Sequence, residues 1–157
     1  MSTKVGTQKS FIDAIKELVE LEYDAIEAYK VAMENLDSLE YKDKFFEFKG
    51  DHERHVKELS AFLASSNEKV PTGPDNTKHL LVKGKVKLAS LFGDENILSA
   101  MLSNEEDTVT AYERINSRVA NDNSDNKMDK VIPRALEDER RHKDWIQVEL
   151  EKYENNK

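Results

Sequence analysis

The chain contains no cysteine. That excludes disulfides, thiolate zinc sites, iron–sulfur clusters and thiol nucleophiles. Glycine and proline are scarce, at 5 and 3 of 157 residues. No glycine-rich loop is present that could cradle a nucleotide phosphate, and no Ser-His-Asp pattern supports nucleophilic catalysis. Cationic excess is also missing: 24 Lys and Arg face 32 Asp and Glu, a net charge of −8. Such a balance argues against binding nucleic acid, because affinity for a phosphate backbone comes from cations that release its counterions. No apolar run approaches the roughly 18 residues of a membrane-spanning helix, so no membrane partner is expected. The opening residues, Met1 to Gly6, carry no apolar signal segment, and the expected location is the cytoplasm.

The composition points to helices. Charged residues make up 36% and hydrophobic residues 38% of the chain, which suits narrow apolar stripes on charged helices. The turn residues are clustered. Val70 to Thr77 holds two of the prolines, Asn121 to Asn126 is a polar turn-forming run, and Asn35 to Ser38 is a weaker break. Between them lie stretches rich in Glu, Lys, Ala and Leu, which favour helix. Phe11, Ile15, Leu18, Ala25, Tyr29, Ala32 and Leu36 follow the three-and-four spacing of a bundle helix. Phe45, Phe48, Leu59 and Phe62 make a second stripe. Leu98, Met101, Thr108, Tyr112, Ile115 and Val119 make a third, and Met128, Ile132, Ala135, Ile146, Leu150 and Tyr153 a fourth. The stripes predict four helices at about 8–36, 40–66, 95–120 and 128–153. Pro133 is a misfit in the last, which either starts later or bends near its start.

The breaks set the topology. Short links make antiparallel hairpins of helices one and two, and of three and four. The stretch of about 67–94 is long enough to cross the bundle, and Leu80 to Phe92 reads as a short helix within it. The expected fold is an all-α four-helix bundle of two helical hairpins joined by a long crossover, in a single domain over residues 1–157.

Polar residues fill the gaps in the stripes: Glu22 in helix one, His52 and His55 in helix two, Glu105 in helix three, Glu139 and His142 in helix four. Depth supports their meeting. Glu22 lies 16 residues before Ser38, and His52 and His55 lie 14 and 17 after it. Around Asp122, Glu105 lies 17 residues before, and Glu139 and His142 lie 17 and 20 after. At about 1.5 Å per residue, each hairpin brings its polar residues to one level. The halves also match. Glu22 to Tyr29 aligns with Glu105 to Tyr112, and Asp51 to His55 aligns with Asp138 to His142, as in a duplicated helical hairpin. Three unpaired buried carboxylates would be very costly. Either a metal ion satisfies the six residues, or three Glu–His pairs neutralise one another. The fourth histidine, His79, falls in the crossover.

This arrangement resembles the ferritin-like superfamily of carboxylate-bridged dimetal proteins, and most closely a family of small, uncharacterised bacterial members of it. Glu22, Ala25 and Tyr29 match the first motif of that superfamily, and Glu139-Arg-Arg-His142 matches its Glu-x-x-His. The resemblance covers about Phe11 to Tyr153. It implies a metal site built from Glu22, His52, His55, Glu105, Glu139 and His142. It further implies iron or manganese, one or two ions, and oxygen, peroxide or iron redox chemistry fed by an external electron donor. One position departs from the pattern: the first Glu-x-x-His is here His52-x-x-His55. Losing that carboxylate favours a single metal, zinc, or an altered dimetal geometry. A non-catalytic metal-binding bundle and a metal-free interaction module are the alternatives. Asp24, Asp107, Tyr29 and Tyr112 are expected around the ligands. Asp51 and Asp138 read as solvent-facing partners of Arg54 and Arg141. A homodimer is expected from the exposed bundle faces of that superfamily.

Overall fold

The computed structural model describes residues 2–74, 88, 90–122 and 127–157. Its elements are α1 (Phe11–Asn35), α2 (Leu39–Ser65), α3 (Asp94–Asp122) and α4 (Met128–Asn155). There is no strand among the described residues, and no helix long and apolar enough to cross a membrane. The four helices start and stop within a few residues of the expected bounds.

Local chemistry explains the ends. Ser10 caps α1 by accepting from the Asp13 N–H at 3.3 Å, and Ser38 caps α2 by accepting from the Tyr41 N–H at 3.2 Å. Each hydroxyl satisfies a backbone donor that the first turn leaves open. Helix α2 ends in a Schellman motif. Glu68 N–H reaches Leu63 O at 3.0 Å and Asn67 N–H reaches Ala64 O at 3.1 Å. Asn67 sits at φ 57, a left-handed position that Asn tolerates better than most residues. Pro133 lies inside α4, which nevertheless begins at Met128; the later start is not what the chain adopts.

Register runs antiparallel between all neighbours. On α1 and α3, Glu22 meets Tyr112 and Tyr29 meets Glu105. On α2 and α4, Tyr41 meets Glu149, His55 meets Asp138 and Glu58 meets Arg134. The crossover follows from its two ends. Ser65 lies by Lys127 at the start of α4. Asp94, by contrast, accepts from the Asp37 and Ser38 N–H groups in the turn between α1 and α2. The connecting chain therefore runs from one end of the bundle to the other. The short helix expected over Leu80 to Phe92 lies almost wholly outside the described residues, as does His79.

The core divides in two. Ile15, Leu18, Leu59, Leu63, Ile115 and Ile132 pack one half, and Phe45, Phe48, Ile97, Met101 and Ile146 pack the other. Burying each such side chain stabilises the fold by roughly 1.5–3 kcal/mol. Between the two apolar halves lies a band of buried polar side chains.

Candidate metal centre

The band consists of the six residues that interrupt the stripes. Glu22, His52, His55, Glu105, Glu139 and His142 are each no more than 1% exposed. Four helices converge there, each contributing at the depth that its distance from the nearest turn dictates.

His52 lies across the middle. Its Nδ1 is 2.6 Å from Glu22 Oε2 and its Nε2 is 3.2 Å from Glu105 Oε1, so one ring joins carboxylates from the two hairpins. His55 Nδ1 lies 3.3 Å from Glu22 Oε1 and 3.0 Å from Glu139 Oε1. His142 Nδ1 lies 3.4 Å from Glu139 Oε2 and 3.8 Å from Glu105 Oε1. The donors fall into two overlapping sets able to hold a metal ion: Glu22, His52, His55 and Glu139, and His52, Glu105, Glu139 and His142. Within each set the ligand atoms lie within 4.8 Å of one another. Both sets share His52 and Glu139.

The far sides of the rings are held across the bundle. His142 Nε2 donates to Asp51 Oδ2 at 2.8 Å, and His55 Nε2 donates to Asp138 Oδ2 at 3.0 Å. A proton fixed on Nε2 turns the Nδ1 face toward the cluster, as the outer partner of a ligating histidine does. Asp51 and Asp138 are thus partly buried and each serves the opposite hairpin, which corrects their reading as solvent-facing groups. The arginine pairs do exist: Arg54 binds Asp51 and Asp138, and Arg141 binds the same two. Burial is outweighed at Asp51 by the hydrogen bonds of His142 and Arg141, and its carboxyl lies well below the usual range. Tyr112 donates to Glu22 Oε1 at 2.6 Å, and Tyr29 donates to Glu105 Oε1. Burial and these carboxylates push both phenols far above their ordinary range, so they act only as donors near neutral pH. Every one of these contacts has a counterpart in the other hairpin, which gives the alignment of the two halves a physical form.

Burial works against charge here, yet opposite charges win at most positions. Burial alone would raise Glu22, but His52 and His55 hold it far below the carboxylate range. Burial would lower His52, but Glu22 and Glu105 lift it to about 10. Glu139 goes the other way: burial and the charges of Glu22 and Glu105 raise it well above an ordinary glutamate. His142 is lowered, burial being the main cause, so its ring is neutral.

Besides Glu105 Oε2, three atoms of the cluster are left without ordinary hydrogen bonds: both carboxyl oxygens of Glu139 and the Nδ1 of His142. A buried polar atom in that state costs roughly 1–3 kcal/mol. All three atoms face the same cluster and all three are good ligands for a divalent ion. The residues present therefore fit a metal ion.

The remaining expected neighbours divide. Tyr29 and Tyr112 reach the cluster. Asp107 does not: its Oδ1 accepts from the Thr3 N–H at 3.2 Å. Asp24 lies partly buried on α1. The pairing of Tyr41 with Glu149, both buried, at 3.1 Å escaped the sequence reading, since nothing local links residues on two separate hairpins.

Among known families, one described as a domain of unknown function, DUF2383, matches residues 10–118. The matched stretch includes Glu22, Tyr29, His52, His55, Glu105 and Tyr112, while Glu139 and His142 lie beyond it. No curated protein matches the chain.

Proposed function

The chain belongs to the DUF2383 family, a member of the ferritin-like superfamily, and from that premise we propose that it is a metal-binding bundle whose buried centre carries out redox chemistry. The ions are iron or manganese, one or two per chain, and the chemistry is oxidation of iron or reduction of oxygen or peroxide. Glu22, His55, Glu105, Glu139 and His142 ligate, with His52 shared between the two donor sets. Such ions supply electron transfer and a site for an oxygen ligand. The protein supplies the donor set, a dry surrounding and fixed imidazole orientation. With no cysteine in the chain, reducing electrons come from an external donor.

One observation carries this reading: the unpartnered Nδ1 of His142 faces the unpartnered oxygens of Glu139. A Glu–His pair built for mutual neutralisation would close that gap with a hydrogen bond. A second reading draws on His52. Its two nitrogens already satisfy Glu22 and Glu105, which favours a single ion, zinc included, held without turnover.

Metal analysis separates the two. The protein is purified without chelators or a metal-affinity column, and its ions are measured by mass spectrometry, with the Glu22→Ala/Glu139→Ala double variant alongside. Iron or manganese that vanishes in the double variant supports the redox centre. One zinc per chain supports the second reading. Absence of any ion, together with no thermal shift on adding iron, manganese or zinc, overturns both.

A further inference from the structure

Next to the cluster lies a row of aromatic rings that metal binding does not require. Phe48 stacks on His142 with centroids 4.2 Å apart and planes at 30°. Trp145, three residues further along α4, meets the other side of the row edge-on at 5.6 Å from Phe48. Tyr41 meets the Trp145 indole at 5.7 Å and 90°. The rings thus lead in unbroken contact from an imidazole of the cluster to the first turn of α2, at the end of the bundle where α4 finishes. Phe48 is fully buried and Tyr41 is 9% exposed.

The residue types along the row differ in what they can do. Phenylalanine only brings its neighbours close. Indole and phenol are the side chains of the row that can give up one electron, and Trp145 is the sole tryptophan of the chain. A phenol gives up an electron readily only when its proton leaves at the same time. Tyr41 has a place for that proton: its O–H donates to Glu149 Oε2 at 3.1 Å, and Glu149 is 6% exposed. Lys152 holds the other oxygen of Glu149 at 2.8 Å, which keeps the carboxylate in position as an acceptor. Apolar packing alone would not place a buried carboxylate there, because burying one is costly without a partner.

We infer that Trp145 and Tyr41 form a one-electron relay between the metal centre and the end of the bundle, with Glu149 taking and returning the proton of Tyr41. The inference rests on the redox reading of the cluster. Its steps balance. Trp145 would give one electron, through Phe48 and His142, to a centre that peroxide, the oxidant of the proposed reaction, has oxidised. Tyr41 refills the indole, and its proton moves to Glu149 as the phenoxyl radical forms. An external one-electron reductant then restores the phenol, and Glu149 gives the proton back. Each cycle moves one electron from reductant to centre and leaves the protein unchanged.

The test has two arms. In the first, pulse radiolysis of the metal-free protein generates azide radical, which oxidises the single tryptophan. The expected result is first-order conversion of the indolyl radical to a tyrosyl radical, at a rate independent of protein concentration. Tyr41→Phe loses that conversion and Glu149→Gln slows it. Tyr23, Tyr29, Tyr112 and Tyr153 remain in Tyr41→Phe, so an unchanged tyrosyl signal there overturns the relay. In the second arm, iron-loaded, oxidised protein is re-reduced by a small one-electron dye. Trp145→Phe and Phe48→Leu are expected to slow that reduction, while Phe48→Leu leaves the radiolytic step intact. An unchanged rate in both variants overturns the link to the centre. Failure of the redox reading shows itself separately, as iron that does not bind, and removes the relay's function even where the radical step is seen. Thermal melts of each variant establish that it is folded.

Discussion

His52 occupies the one place in the cluster where the two halves of the chain differ in chemistry. The cross-hairpin contacts pair Glu22 with Glu105, His55 with His142, Tyr29 with Tyr112 and Asp51 with Asp138, which leaves His52 opposite Glu139. As an imidazolium it answers two carboxylates at once, with Nδ1 on Glu22 and Nε2 on Glu105. A glutamate at that position would add a fourth carboxylate and remove the cation between Glu22 and Glu105. His52→Glu is therefore expected to have opposite effects in two conditions. Without metal, stability drops by about 3–5 kcal/mol, the scale for stripping one partner from a buried ion pair. With manganese or ferrous ion, binding gains a carboxylate ligand, and the thermal shift on saturation exceeds that of the unmodified chain. Melting both proteins with and without manganese checks this. A metal-free variant as stable as the unmodified chain would show that His52 holds no charge against Glu22 and Glu105.

At the scale of the elements, the segment before α1 is tied to α3 by two arginines. Arg114 donates to the carbonyls of Thr3 and Val5 at 2.6 and 3.1 Å, and Arg118 donates to those of Gly6 and Lys9 at 3.0 and 3.1 Å. Gly6 sits at φ +93, and a Cβ there would lie 2.8 Å from the Cβ of Arg114. Gly6→Ala should cost at least the roughly 1–2 kcal/mol of a left-handed alanine, with further loss as the strap lifts off α3. Thermal melting reads the first effect, and faster amide exchange at Thr3 and Val5 reads the second. This strap was not legible in advance, because its anchors lie more than a hundred residues away in sequence. The helices were legible for the opposite reason: an apolar stripe is local, and so is the count of residues from a polar gap to the nearest turn. That count placed Glu22 with His52 and His55, and Glu105 with Glu139 and His142. It could not place Asp51 against His142, since which face of α2 meets α4 depends on how the hairpins dock. Asp51 and Arg54 stand three apart on one helix, so local spacing suggested that surface pair, which forms, and gave no sign of the histidine across the bundle. Tyr41 and Glu149 escaped for the same reason.

For the molecule as a whole, the buried cluster sets how stability responds to pH. His52 binds its proton up to about 10 in the folded chain against 6.5 when exposed. Between those values the folded state holds a proton that the unfolded state has lost, so stability falls as pH rises through that window. Glu139, raised well above its ordinary 4.5, acts in the same direction from that value upward. Glu22, held below 4.5 by His52 and His55, acts oppositely: its contribution is present above 4.5 and lost as pH falls below it. Asp51, held down by His142 and Arg141 against burial, adds to that acid loss. The metal-free protein is therefore expected to melt highest between about 4.5 and 6.5, mildly acidic for a chain of net charge −8. Metal reverses the alkaline side. Ligands must shed their protons to bind, so affinity rises with pH over the range where the metal-free fold weakens, and binding releases the protons of Glu139 and His52. Melting curves across pH, with and without saturating manganese, should diverge steadily above 6.5. Proton release measured in weakly buffered solution should accompany the divergence. Parallel curves with no proton release would mean that these side chains neutralise one another and leave nothing for an ion to displace.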